Sequence, residues 1–247
     1  GSILGQAGAS ITLGVVSATN ATSNEVALHA VTGSITDANG AAINVRETVA
    51  DSSTSLSLRA GTIIGGADGT ASSVNNQSID IMIDTVAANS ATGIYLREIA
   101  AGGAITINTA SAVNVNIDSV VRSDFNSRTT GVAEARNISS LEDLTTSSNG
   151  PIHLVSENGT IIVNGGSDTS GVTSKGTGDV LLEARGVGSD VVVNDNISSD
   201  GGSLTLKAAN NIHVIASLNT SDSGGILIEA ADGSIELQNL SSSVIAG

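Results

Sequence analysis

The chain repeats a short alternating pattern, in which two apolar residues flank a third residue and are followed by a charged residue, an alanine and a turn. The clearest copies occupy residues 178–184, 202–208 and 225–230. Their first apolar residues, Val180, Leu204 and Ile226, are 24 and 22 residues apart. Alternation with period two predicts β-strands, and repetition at this interval predicts strands that stack coil upon coil.

The first half of the chain follows this pattern more loosely, with alternating runs at residues 26–28, 56–58, 79–83, 105–107 and 113–117. Two or three short strands per coil, joined by tight turns, describe a parallel β-helix in which each strand pairs with its copy in the next coil. The predicted fold is therefore all-β, a parallel β-helix (β-solenoid) with about 20–30 residues per coil. It is expected to run as one continuous fragment over residues 1–247.

The residue that follows the two inward apolar positions of a strand should point outward and align from coil to coil. Charged residues and a histidine occupy this position: His29, Arg59, Arg97, Glu183, Lys207 and Glu229. We expect Lys207 to lie between two carboxylates. Such opposite-charge neighbours contribute about 0.2–1 kcal/mol each, and less where solvent screens them. We therefore interpret this row of residues as stabilising the register between coils, and we assign it no catalytic role.

Composition supports a stack of aliphatic ladders. Apolar residues make up 40% of the chain but aromatic residues only 1%, so the core is built from Val, Ile, Leu and Ala. The 29 glycines suit frequent tight turns, and a single proline suits strands that are nearly all paired. The net charge of −15 disfavours nucleic acid and anionic membranes as partners. The absence of cysteine excludes disulfides and thiolate chemistry.

One stretch, residues 120–148, departs from the pattern. It contains the only phenylalanine and three of the nine basic residues. Two interpretations remain open: an irregular coil with Ile138, Leu141 and Leu144 inward, or a protruding loop. Loops on a rigid scaffold often carry function, so the stretch supplies the candidate partner-contact residues. These are Arg122, Phe125, Arg128 and Arg136.

Metal binding and catalysis have little support in the sequence. Residues 65–69 and 165–168 approach a calcium-binding Gly-Asp repeat, but neither has its full spacing or recurs in tandem. Calcium between stacked Asp turns remains an alternative to the expected absence of cofactors. His29, His153 and His213 fall on separate coils and are expected to face water rather than bind a metal.

Polysaccharide-processing enzymes are the catalytic alternative, because several of them are β-helices. They need clustered carboxylates in a groove, whereas the only adjacent acidic pair in this chain is Glu142 and Asp143. We therefore expect no catalytic residues, and we keep the enzyme as the competing hypothesis.

Several phrases resemble the repeat arrays of giant bacterial surface exoproteins of the filamentous-haemagglutinin adhesin type. They occupy residues 33–41, 91–96, 103–107, 178–184 and 202–208. The resemblance covers most of residues 33–240 outside the irregular middle. It implies a right-handed parallel β-helix, extracellular exposure and a role as an adhesive shaft or spacer, and no active site of that family maps onto this chain.

The function predicted from these observations is that of a non-enzymatic structural or adhesive segment of a large secreted or cell-surface bacterial protein. It would be a rigid shaft or binding surface in cell–cell or cell-surface attachment, including symbiosis or host contact. The expected partner is a surface glycan or protein of another cell, with no nucleic acid and no membrane insertion. The chain is expected to be a monomeric segment of a longer protein.

Overall fold

A computed structural model describes residues 1–20, 23–48, 53–67, 77–100, 103–120 and 132–238, with the backbone alone for 116–120 and 132–135. Every regular element in these residues is a β-strand. The described part accordingly holds no apolar helix of membrane-spanning length. The strands form a 13-stranded and an 11-stranded sheet, both parallel, and one two-stranded sheet. The predicted all-β parallel β-helix is confirmed.

The first three coils each consist of one longer strand and two short ones. Their bounds are β1 (Ser2–Ala7), β2 (Ile11–Leu13), β3 (Val16–Ala18), β4 (Ser23–Ala30), β5 (Ile35–Asp37), β6 (Val45–Glu47), β7 (Ser53–Ala60), β8 (Ile63–Ile64) and β9 (Ile79–Met82). The longer strands β1, β4 and β7 belong to the 13-stranded sheet, and the short strands belong to the 11-stranded sheet.

After these three coils comes one further strand, β10, and the later coils begin with β11. The bounds are β10 (Thr85–Ser90), β11 (Gly93–Glu98), β12 (Ile105–Ile107), β13 (Val113–Val120), β14 (Val132–Ile138), β15 (Leu144–Thr146), β16 (Ile152–Ser156), β17 (Ile161–Val163), β18 (Ser170–Ser174), β19 (Val180–Ala184), β20 (Val191–Val193), β21 (Asn196–Ser199), β22 (Leu204–Ala208), β23 (Ile212–Val214), β24 (Leu218–Thr220), β25 (Ile226–Ala230) and β26 (Ile235–Leu237). Apart from β13 and β14, the coils from β11 to β24 each have one strand of five or six residues followed by two strands of three to five residues.

The two halves differ in which sheet holds the longer strand, and β10 and β11 make the change. One end of β10 pairs with β12 and the other end with β15. In the 13-stranded sheet, one longer strand of a coil is therefore followed by two short strands of the next coil. Conversely, β11 pairs with both β8 and β9. In the 11-stranded sheet, two short strands of one coil are therefore followed by one longer strand of the next coil. We call this place the phase switch, defined as β10 and β11. Beyond it each coil up to β24 has one strand in the 11-stranded sheet and two in the 13-stranded sheet, the reverse of the first three coils.

The core is a set of aliphatic ladders with the predicted register. Val180, Leu204 and Ile226 are direct neighbours on successive strands. A single continuous cluster of buried apolar side chains joins the coils before the phase switch to the coils after it. Each buried aliphatic side chain contributes roughly 1.5–3 kcal/mol to the stability of the fold. The side chains of one coil alone do not offset the conformational entropy lost when that coil becomes ordered, so the coils are stable only as a stack.

The predicted outward row of charges needs a correction. His29 and Arg59 are neighbours on the 13-stranded sheet, whereas Arg97 lies on the 11-stranded sheet, because the phase switch separates them. Glu183, Lys207 and Glu229 do align as predicted.

Their ion pairs also differ in part from the prediction. Lys207 Nζ is 3.2 Å from Glu229, but the Glu183 carboxylate is instead 2.8 Å from Arg185 on its own turn. Lys207 is therefore paired on one side.

Candidate functional site

Strands β13 and β14 leave the coil between β12 and β15 and pair antiparallel. We call these two strands the arm. The sequence pattern placed residues 113–117 in a coil strand, which is wrong, because their partner is β14 and not a strand of a neighbouring coil. A bridge between Ala110 and Leu141 closes the base of the arm, with N···O distances of 2.7 and 3.0 Å. Leu144, by contrast, starts β15 inside the coil and is fully buried.

The arm lies against a column of outward residues on the first coils. Val113 and Ile138 pack on Ala27, with Leu4 and Val115 at the margin of this cluster. Ile138, at the end of β14, is therefore buried between the arm and the outer face of the coil and not inside the coil.

Small side chains continue this column. Ser57 and Ala87 follow Ala27 on the next two strands, and these three outward residues are exposed by only 0–1%. Small side chains here allow a second layer of backbone to approach the sheet closely.

Arg59 fixes the returning end of the arm. Its Nη2 donates hydrogen bonds to the carbonyl oxygens of Ser140, at 2.8 Å, and Ser139, at 3.2 Å. Burial lowers the pKa of this guanidinium, and burial together with the Arg59 charge lowers the pKa of the adjacent His29. These charge-assisted bonds to two adjacent carbonyls add to the apolar contact that Val113 and Ile138 make with Ala27.

The candidate contact residues fall on or between the strands of the arm. Arg136 lies on β14 directly opposite Val115, and its side chain is exposed. Arg122, Phe125 and Arg128 lie in sequence between the two strands, outside the described residues.

Four carboxylates stand beside the base of the arm, just before β15, β18 and β21. We call Glu142, Asp143, Asp168 and Asp195 the acidic corner. Three of them accept backbone hydrogen bonds from one connecting segment, all at 2.7 Å: Glu142 from Ser167, Asp168 from Ser170 and Asp195 from Gly165. Sequence reasoning had singled out Glu142, Asp143 and this segment, but not their meeting point.

Gly166 allows the connecting segment to reach Glu142. Its φ is +65°, in the left-handed region, and a Cβ would collide with the Thr109 hydroxyl and the Glu142 carboxylate. Only glycine satisfies both the conformation and the space.

Asp143 differs from the other three carboxylates because it is buried with one oxygen unpaired. Its residue is 6% exposed, and its Oδ1 has no hydrogen-bond partner among the described residues. Burial, followed by the charges of Asp168, Glu142 and Asp195, raises its pKa to about 7. The pKa of Glu142 is lowered, mainly by its bonds from Ser167.

Opposite pKa shifts on neighbouring carboxyls are also seen in acid–base pairs of glycan-cleaving enzymes. Here the Asp143 carboxyl has almost no exposed surface, and the Glu142 oxygens already bind Ser167 and Thr109. Within the described ranges, no three acidic or histidine side chains are spaced to hold a metal ion. The acidic corner therefore has the chemistry of a proton site more than that of a substrate or metal site.

Two further buried carboxylates, which the sequence pattern did not reveal, lie at the phase switch. Asp80 is fully buried and binds Arg97 through two bonds, Nε–Oδ1 at 2.9 Å and Nη2–Oδ2 at 3.2 Å. Its backbone N–H also donates to Asn44 Oδ1 at 2.8 Å. The available signal was an aspartate between Ile79 and Ile81 in an otherwise apolar strand.

Glu98 occupies an inward position of β11, after Ile94 and Leu96, and is 1% exposed. Its two oxygens accept N–H bonds from Ala100, at 2.7 Å, and Ile83, at 3.3 Å. Burial is the main cause that raises its pKa to about 8. The period-two pattern of β11 could have identified it, since a glutamate follows two inward aliphatics.

The three histidines are separate and partly exposed. His153 contacts Tyr95 edge to face, with ring centroids 5.0 Å apart, and His213 Nδ1 is 2.9 Å from Glu236. His29 lies beside Arg59. A surface cavity of about 360 Å³, lined by Asp37 and Gln77 among others, shares no residue with the arm or the acidic corner.

The fold and these sites define a parallel β-helix that carries an antiparallel arm on one face. A scan against protein-family models, a search of curated proteins and a search of solved structures each found no match for this chain.

Proposed function

We propose that this chain is a non-enzymatic structural and adhesive segment of a large secreted or cell-surface bacterial protein. The coil is the rigid shaft, and the arm is the surface that attaches to another cell. One observation carries the proposal: the aliphatic core continues through the phase switch while the arm is built on the outside of that core.

The shaft role follows from how the coil is bonded. Every described coil is joined to the next by parallel ladders, so bending the axis would stretch hydrogen bonds and separate packed aliphatic side chains in several columns at once. Repeat proteins of this kind derive their stability from neighbouring coils, so the shaft gains rigidity from its length.

The binding role is supported by the composition of residues 120–148, which include β14 of the arm and the sequence between its two strands. Residues 120–148 contribute three of the nine basic residues and the only phenylalanine to a chain of net charge −15. Arginines and an aromatic side chain suit an anionic glycan or protein on a cell surface. Exposure outside the cell is proposed from the resemblance of the coil phrases to bacterial surface exoproteins.

The test is attachment of the purified protein, measured with protein-coated beads on fixed cells and with the soluble protein on an array of acidic glycans. A triple variant, Arg122→Ala, Phe125→Ala and Arg128→Ala, should lose attachment while its melting temperature stays unchanged. The matched control removes two arginines and one exposed apolar residue elsewhere: Arg46→Ala, Arg185→Ala and Val187→Ala.

Equal loss in both triple variants would indicate a general charge effect and would contradict a specific arm. Release of reducing ends from acidic polysaccharides, abolished by Glu142→Gln, would replace the shaft with the enzyme hypothesis. No attachment by the unaltered protein to any cell or glycan would remove the adhesive part of the proposal.

A further inference from the structure

We propose that the acidic corner is a proton-dependent latch, in which Asp143 holds the arm on the coil when protonated and loosens it when ionised. The ligand is a proton, and the moving element is the arm. The inference concerns the conformation of the chain and stands whether or not the arm binds another cell.

The position of Asp143 links the arm to the coil. It comes two residues after Leu141, which closes the base of the arm, and immediately before β15. Its carbonyl oxygen accepts the N–H of Ala88 on β10 at 2.8 Å. Its φ of 68° is a left-handed conformation that is held by the surrounding contacts. A change at this residue therefore acts on both the arm and the phase switch.

The surroundings of Asp143 favour its neutral form. Asp143 is 6% exposed and its Oδ1 has no donor among the described residues, so an ionised form would place charge on a buried oxygen without a hydrogen bond. Among the described residues, the charged groups that act on it are Asp168, Glu142 and Asp195, all of them acidic.

A proton relieves this repulsion without displacing the other contacts. Glu142, Asp168 and Asp195 already accept N–H bonds from residues 165–170, and the corner does not have the spacing of a metal site in the described residues. Protonation of Asp143 removes one charge and supplies an O–H donor at the same time.

The sign of the effect follows from the raised pKa. Asp143 titrates near 3.8 when the arm is released and solvated, and near 7 when it is buried. The latch is therefore strongest below about pH 4 and is lost as the pH rises through about 7. Between pH 5 and pH 8 this linkage raises the opening equilibrium on the order of 10- to 100-fold.

Hydrogen exchange on the full chain tests the latch, with mass spectrometry from pH 5 to pH 8 and correction for intrinsic exchange rates. The protection of residues 113–120 and 132–138 should fall by that factor both in the unaltered protein and in Glu98→Gln, which removes the separate pH dependence that Glu98 gives to the stability of the coil. Asp143→Asn, which is neutral at every pH, should abolish the extra loss in the arm. The matched control, Asp232→Asn at an exposed turn, should leave it intact.

A loss of protection in the arm that Glu98→Gln abolishes would assign the effect to global unfolding and overturn the latch. So would an Asp143→Asn protein that keeps the pH dependence of the arm. The ¹³C carboxyl titration of Asp143, in the unaltered protein and in Asp195→Asn, is a second test that leaves Asp143 itself unchanged. A midpoint near 7, lowered in Asp195→Asn, supports the latch, and a midpoint near 4 refutes it.

Discussion

The buried Glu98 should make this protein less stable as the pH rises from acid to neutral. Its folded-state pKa is raised from 4.5 to about 8, so the folded state holds a proton that the unfolded chain releases above pH 4.5. The contribution is fully present below pH 4.5 and is lost as the pH passes 8. At 1.36 kcal/mol per pKa unit, the loss at pH 8 is on the order of 4 kcal/mol.

The assay is urea unfolding of the unaltered protein and of Glu98→Gln between pH 4.5 and pH 8. The variant should lose several kcal/mol less over this range, because its carboxamide does not ionise. At pH 4.5 the variant should itself be less stable by about 1–3 kcal/mol, since one carboxamide oxygen replaces two acceptors for the N–H groups of Ile83 and Ala100. Asp143 leaves a residual slope in both proteins.

The control for this prediction is Glu229→Gln, which removes an exposed carboxylate in an ion pair with Lys207. It should keep the slope of the unaltered protein and change the free energy of unfolding by less than about 1 kcal/mol. Identical slopes for Glu98→Gln and the unaltered protein would refute the reasoning.

Three further predictions concern the core, the phase switch and the arm. In urea unfolding, Leu182→Ala should lower the free energy of unfolding by about 2–5 kcal/mol, because Leu182 is fully buried. The control Leu227→Ala changes a half-exposed side chain and should lower it by about 0.5 kcal/mol or less. Arg97→Ala should cost about 3–5 kcal/mol in the same assay by removing both hydrogen bonds that Arg97 donates to the buried Asp80, against less than about 1 kcal/mol for Lys207→Ala. Equal costs would contradict the role of the buried pair. Arg59→Ala should reduce hydrogen-exchange protection of β14 roughly tenfold or more while β22 is unchanged, because the bonds to Ser139 and Ser140 are lost. Unchanged exchange in β14 would show that the apolar contact alone holds the arm.

The coil and its register were predictable because they depend on local, repeated information. Alternation fixes which side chains point inward, and the glycine and alanine positions fix where each strand ends, so Val180, Leu204 and Ile226 could be aligned from sequence. The same local rule placed Glu183, Lys207 and Glu229 in one column. It could not choose between Lys207 and Arg185 as the partner of Glu183, since that depends on side-chain reach.

The phase switch could not be predicted because the repeated phrase is the same on either sheet. Residues 26–30 and 226–230 carry similar phrases, yet β4 lies in the 13-stranded sheet and β25 in the 11-stranded sheet. Alternation also fails to distinguish parallel from antiparallel partners, which is why residues 113–117 were assigned to the coil. The acidic corner depends on turns from successive coils, and only the stacking brings them together.

Attachment by a protein whose arm has been removed tests directly whether the arm is the binding surface. Residues 108–143 can be replaced by Asn194-Asp195-Asn196, the link that joins the equivalent ladder positions Val193 and Ile197 in a later coil. We expect this variant to fold with the β-strand signal of the coil and to lose attachment to cells and acidic glycans. Attachment equal to that of the full chain would contradict the assignment of the arm as the binding surface and the coil as its shaft.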